Sequence, residues 1–216
     1  MYYRNKLLYP SSLLKPLHLI NNIRFDYINS MCNLKGKKVL DIGCGVGLLA
    51  NKCALHGAKV VALDQSKYAI DLAVQNSTLN NIKYISLNLS EFYSAEVYDI
   101  IICMEVLEHL KDIKVLLNIL KNCITSRTVF FLSSLKKDFI VYIKYILFGE
   151  YILGSLKKNT HLYDNFYNIF TIHSELYNHN IFLNDIKFIN YNNLFNYSSL
   201  SFKVGSNYIL SFGKTL

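Results

Sequence analysis

The sequence predicts an α/β domain: a seven-stranded, mostly parallel sheet with helices on both faces and an antiparallel edge. Two observations predict it. From residue 37 to residue 134, apolar runs of strand length alternate with stretches of helix length. Such alternation builds a parallel sheet covered by helices. Two later runs, 183–192 and 206–213, have no helical stretch between them, which makes that edge antiparallel. With 216 residues, 52% of them apolar, and no repeat or Pro/Gly/Ser-rich linker, one domain spanning 1–216 with a substantial core is expected.

The elements follow in order. "KKVLDIG" (37–43) is a strand ending at glycine, and "VGLLANKCALHG" (46–57) a helix stopped by Gly57. "AKVVALD" (58–64) is the second strand. "QSKYAIDLAVQNSTLN" (65–80) is a helix with Ser66 as its cap. "IKYISLNL" (82–89) and "VYDIIICM" (97–104) are strands, "IKVLLNILKNCI" (113–124) a helix and "RTVFFLSS" (127–134) a strand. Residues 1–35 are expected to form an N-terminal helical cover, and 136–182 an insertion facing substrate or membrane. In open sheets of this kind ligands lie outside the carboxyl ends of the strands. That places the loops after Gly43, Asp64 and Cys103 on one rim.

"LDIGCGVG" (40–47) sets Gly43, Gly45 and Gly47 at a strand-to-helix turn. Glycine there permits positive φ and close approach of a ligand to the backbone. The spacing alone is weak evidence, because dinucleotide-binding folds use it too. Asp64 ends the next strand, where an acid suits a ribose diol. Asp41 precedes the first glycine by two residues. An acid there attracts an ammonium group and repels a pyrophosphate. Together they favour an S-adenosylmethionine site of a class I methyltransferase over a nicotinamide site. A tight turn with Asp41 capping the helix would explain the glycines without a ligand.

"MEVLEH" (104–109) crowds Glu105, Glu108 and His109 onto the end of an apolar strand. Made helical, the segment would put 105, 108 and 109 on one face. Two carboxylates and an imidazole can hold a divalent cation, with Mg²⁺ the expected ion for a carboxylate-rich set. Alternatively His109 is a general base oriented by a carboxylate. The plainest reading is that acids start a helix.

Five scattered cysteines, Cys32, Cys44, Cys53, Cys103 and Cys123, include no C-x-x-C pair. They point to a reducing compartment rather than a disulfide framework or zinc cluster. The first residues lack the apolar core and small-residue cleavage site of a secretory signal. The formal net charge of +8 is spread along the chain; with no nucleic-acid-binding motif, a nucleic-acid partner is not expected. One concentrated stretch, "DFIVYIKYILFGEYILGSLKK" (138–158), is apolar and aromatic with lysines near both ends, interrupted by Lys144 and Glu150. Its unbroken apolar runs are shorter than the ~20 residues that span a bilayer. It suits an interfacial helix against an anionic membrane surface, or an ordinary helix beside the sheet.

Several blocks make the chain resemble the ubiquinone-biosynthesis O-methyltransferases from about residue 15 onward. They are "KPLHLINNIR" (15–24), "GKKVLDIGCGVGLLA" (36–50), "YDIIICMEVLEH" (98–109), "GEYILGSLKKNTH" (149–161) and "SFKVGSNYIL" (201–210). The chain departs from that pattern at 6–14, 124–127 and 192–199. The resemblance implies a Rossmann-like methyltransferase sheet and S-adenosylmethionine contacts at Arg24, Gly43, Asp64 and Met104. Arg24 would pair with the methionine carboxylate, and Met104 would pack on adenine. It also implies Mg²⁺ at "MEVLEH", a polyprenylated phenol or quinol substrate, and contact with other ubiquinone-biosynthesis enzymes. The expected location is cytoplasmic and peripheral to the membrane in a bacterium, or the matrix side of the mitochondrial inner membrane in a eukaryote. Two rivals remain: another small-molecule methyltransferase, or a weakened scaffold subunit that retains the fold.

Overall fold

The computed structural model describes residues 15–135, 167–192, 197–201 and 207–214. The 138–158 stretch therefore lies outside the described residues. A helix α1 (Lys15–Met31) precedes strand β1 (Lys38–Ile42). Then come α2 (Leu48–Leu55), β2 (Lys59–Asp64), α3 (Lys67–Asn76), β3 (Ile82–Ser86) and β4 (Ile100–Met104). After them follow α4 (Lys114–Cys123), β5 (Val129–Leu135), α5 (Ile169–Tyr177), β6 (Ile181–Asn192), β7 (Tyr197–Ser201) and β8 (Asn207–Lys214). The sheet order is β3-β2-β1-β4-β5-β8-β6-β7. β3, β2, β1, β4 and β5 run parallel, and β8, β6 and β7 add antiparallel pairs. The seven expected strands are all present, and β7 adds an eighth at the outer edge.

Strand alternation sorts side chains onto two faces. Val39, Val60, Ala62, Ile100, Ile102, Met104, Phe131 and Ile209 join Phe25, Tyr27 and Ile28 of α1 and Leu49, Ala50 and Cys53 of α2. Leu40, Ile42, Ile101, Cys103, Phe130, Leu132, Tyr208 and Leu210 join Leu116, Leu117 and Leu120 of α4 and Ile172 and Leu176 of α5. α5 falls in the stretch expected to be an insertion facing substrate or membrane, yet Ile172 and Leu176 are fully buried. β4 is buried along its whole length, as expected for a central strand covered on both sides.

Local signals hold the elements. Ser66 caps α3, its Oγ accepting the Ala69 N–H at 3.2 Å. α1 is tied to the domain by the Phe25 ring, 4.5 Å from that of His56, and by Tyr27 Oη donating to Asp185 Oδ2 at 2.9 Å. Among the described residues, no helix is long and apolar enough to cross a membrane.

Candidate cofactor and catalytic site

The glycine turn and the "MEVLEH" turn lie side by side at the carboxyl ends of β1 and β4. Gly43, at φ 72°, has no room for a side chain: a Cβ there would lie 2.2 Å from Val106 Cγ2. Gly47, at φ 77°, is similarly filled, by the Tyr84 hydroxyl. Gly45 differs. A Cβ there meets nothing within 4 Å, so this is where a ligand can approach the backbone. Gly43 and Gly47 are therefore required by packing, and Gly45 leaves the opening.

Asp64 organises the turn from β2. Its Oδ2 accepts the Gly45 N–H and its Oδ1 the Ser66 N–H, both at 2.8 Å. Each oxygen keeps a lone pair, so the carboxylate can also accept ribose hydroxyls. Asp41 is on the α1–α2 face of β1, the same face as Val39, and is 3% exposed. Its Oδ2 is buried and meets no hydrogen-bond donor among the described residues. Burial, and secondarily the Asp64 charge, pushes its carboxyl up to about 7. Arg24, 5% exposed on α1, presents the opposite case: its Nε is buried with no acceptor among the described residues. A buried carboxylate oxygen and a buried guanidinium N–H, each without a partner among the described residues, suit the ammonium and carboxylate of an amino-acid head group. Asp41, Gly45, Asp64 and Arg24 thus fit S-adenosylmethionine, with Met104, 8% exposed at the end of β4, beside them on the same face.

The "MEVLEH" residues do not share a face. Glu105 is left-handed, φ 56°, and a 3-10 turn, Leu107–His109, follows. The Glu105 Oε1 accepts from Arg24 Nη2 at 2.6 Å, Ser133 Oγ at 2.9 Å and Asn207 Nδ2 at 2.8 Å. Glu108 is 2% exposed, and its Oε1 accepts from Ser134 Oγ at 2.6 Å. Adjacent residues of β5 face opposite sides of the sheet. Ser133 therefore ties Glu105 to the α1 side, while Ser134 ties Glu108 to the α4 side. His109 is exposed on the rim. The expected metal triad of Glu105, Glu108 and His109 is thus divided by the sheet. Among the described residues, no group of His, Cys, Asp or Glu is gathered to hold a metal ion. The donor set does not fit Mg²⁺.

Sequence reasoning missed Ser133, Ser134 and Asn207. A signal was available: two serines ending the apolar run "VFFL" at a buried strand terminus. Buried hydroxyls need partners, and the nearby carboxylates are those partners. The charges of these carboxylates also reach Cys103. Its thiol is pushed well up by burial and by the charges of Glu108, Asp41 and Glu105.

The family model described as "Methyltransferase domain" matches residues 19–181. The ubiquinone biosynthesis O-methyltransferase of Coxiella burnetii (strain Dugway 5J108-111) is 37% identical over 209 residues, 94% of this chain and 88% of that protein. The chain belongs to the ubiquinone biosynthesis O-methyltransferases. The Rickettsia bellii member (strain OSU 85-389) is 35% identical over 184 residues, covering 82% of this chain and 76% of that protein. Among solved structures, magnesium protoporphyrin IX methyltransferase from Synechocystis PCC 6803 with bound SAH superposes at TM-score 0.69. Its identity is 18% over 94% of this chain and 86% of that one, which supports the shared fold. As a member of this O-methyltransferase family, the protein is an S-adenosylmethionine-dependent enzyme.

The raised Asp41 carboxyl has a consequence in the cofactor-free protein. A carboxyl whose folded pKa lies above its unfolded value is held most favourably when protonated. Its contribution is best below about pH 4 and is lost as pH rises to about 7. Asp41→Asn should remove this slope. Wild-type stability relative to Asp41→Asn should fall by on the order of a few kcal/mol between those limits. Denaturant unfolding of both proteins across that window is the check, and parallel curves would contradict it.

Proposed function

We propose that this enzyme methylates ring hydroxyls of a polyprenylated hydroxyphenol and, later in the same pathway, of a demethylubiquinol. The observation that carries the reading is the pair of buried atoms without hydrogen-bond partners among the described residues, the acceptor Asp41 Oδ2 and the donor Arg24 Nε, together with the open Gly45 turn. Arg24 would hold the methionine carboxylate, Asp41 its ammonium, and Asp64 the ribose hydroxyls. Met104 would pack against adenine. Bound there, S-adenosylmethionine supplies an electrophilic methyl group and leaves as a neutral thioether.

The chain's own task is to align the acceptor oxygen and remove its proton. Alignment supplies much of the rate of such a transfer. A phenol has a pKa near ~10, so a base must take its proton for the oxygen to attack well at neutral pH. His109 is the titratable group of "MEVLEH" exposed on the rim, and we assign it that role. Glu105 and Glu108, each engaged with buried hydroxyls, support the turn that carries it. This reading needs no Mg²⁺, and chelation tests it.

A polyprenyl tail keeps the substrate in a bilayer, so the enzyme must meet it there. The 138–158 stretch, with its lysines and aromatics, suits an anionic headgroup surface. Such contact would place the enzyme at the cytoplasmic face of a bacterial membrane, or at the matrix face of the inner membrane in a mitochondrion. Other enzymes of the pathway could meet it at that surface. Flotation with anionic vesicles should recover the protein and flotation with neutral vesicles should recover less; no recovery with either would remove the membrane contact. The decisive experiment for function is an assay of purified protein with S-adenosylmethionine and a short-chain demethylubiquinol. Methyl transfer to the ring oxygen is expected. Cofactor binding without transfer to that substrate or to the corresponding hydroxyphenol would favour another acceptor, and absence of cofactor binding would favour a scaffold.

A further inference from the structure

The Glu105 carboxylate lies where the family motif suggests chemistry, yet its surroundings are those of a holding device. Three donors from three distant parts of the chain converge on one oxygen: Arg24 Nη2 from α1, Ser133 Oγ from β5 and Asn207 Nδ2 from β8. Alternation along β4 would direct position 105 to the Cys103 side of the sheet. The left-handed backbone of Glu105, φ 56°, takes the chain out of that alternation, and the side chain meets its partners on the α1 side instead. A left-handed glutamate is strained, and such strain persists only where the surroundings fix it. Its backbone is fixed too, by the Glu105 N–H donating to the Ser133 carbonyl at 3.0 Å.

The partner of this arrangement is Arg24. Its guanidinium is buried with one end on Glu105, while Nε has no acceptor among the described residues. An arginine with a rigid planar fork and an unused buried donor is prepared for a second anion. We propose that Glu105 is a positioning residue for the cofactor. Held in turn by Ser133 and Asn207, the Glu105 carboxylate fixes the Arg24 guanidinium so that its remaining donors face the carboxylate of the methionine moiety. The proposal rests on the cofactor reading above. It gives Glu105 neither a metal nor a proton to handle.

Two ligands separate this role from a general structural one. S-adenosylhomocysteine carries the amino-acid head group, and 5′-methylthioadenosine has the same nucleoside and thioether without it. Calorimetry on Glu105→Gln should show S-adenosylhomocysteine weakened about tenfold or more, the scale of one charged hydrogen bond. Binding of 5′-methylthioadenosine should change by less than about twofold. Ser133→Ala and Asn207→Ala, which loosen the carboxylate without removing it, should give smaller losses of the same selective kind. They carry the test if Glu105→Gln does not fold. In turnover, the loss should appear in KM for S-adenosylmethionine more than in kcat. Equal weakening of both ligands, or unchanged S-adenosylhomocysteine affinity in the folded variants, would overturn the proposal. If the wild-type protein binds neither ligand, the cofactor reading itself fails instead.

Discussion

Asp64→Ala is expected to weaken S-adenosylmethionine binding by about a hundredfold or more. Two losses add. The first is the pair of acceptors assigned to the ribose hydroxyls. A hydrogen bond to a charged group contributes ~1.5–3 kcal/mol, so two of them reach the ~2.7 kcal/mol of a hundredfold change. The second is the hold on the glycine turn. Asp64 accepts the N–H groups of Gly45 and Ser66, and Gly45 is the point left open to a ligand. Asp64→Asn keeps one acceptor oxygen and should fall between wild type and alanine. Titration calorimetry with S-adenosylhomocysteine checks this on protein shown to be folded. Wild-type affinity in Asp64→Ala would remove Asp64 from the site and with it the ribose assignment.

The part of the site on β1 and β2 was legible because it is local. Strand, glycine turn, helix and second acid lie within residues 40–66, and the Ser66 cap follows from sequence position alone. Even so, the reason for each glycine was not legible. Gly43 answers to Val106 and Gly47 to Tyr84, both contributed by other strands or turns. Glu105 and Glu108 show the limit more sharply. Spacing of three suggests one face of a helix, but the backbone is left-handed at Glu105 and 3-10 at Leu107–His109. Which way each carboxylate turns was decided by Ser133, Ser134 and Asn207, on strands far along the chain. β7 was missed because "NYSSLS" has little apolar content and lies at an edge, where pairing with β6 rather than burial makes it a strand. α5 was missed because it is short, nine residues, and lies within the stretch read as an insertion.

His109→Ala should lower turnover by ~100-fold or more, the usual scale for removing a general base, while leaving S-adenosylhomocysteine binding near wild type. The expectation follows from the division at "MEVLEH". Glu108 is buried against Ser134 and Glu105 is bonded to Arg24, Ser133 and Asn207. Neither carboxylate can leave its partners without stranding a buried donor, which costs about 1–3 kcal/mol for a neutral group and more for a charged one. His109 stands exposed where the 3-10 turn meets the rim. An acceptor hydroxyl entering beside the cofactor would meet it without a rearrangement of the core. The metal-assisted alternative makes a different demand. It would require Glu105 to exchange its Arg24 partner for a cation, leaving two like charges close together in a buried setting. Assays in excess EDTA therefore decide between them. Full activity under chelation, together with a large loss in His109→Ala, is the outcome expected of a histidine base. Activity that vanishes with EDTA and returns with Mg²⁺ would mean that the turn rearranges to bind metal, and normal turnover by His109→Ala would remove the histidine from the chemistry altogether.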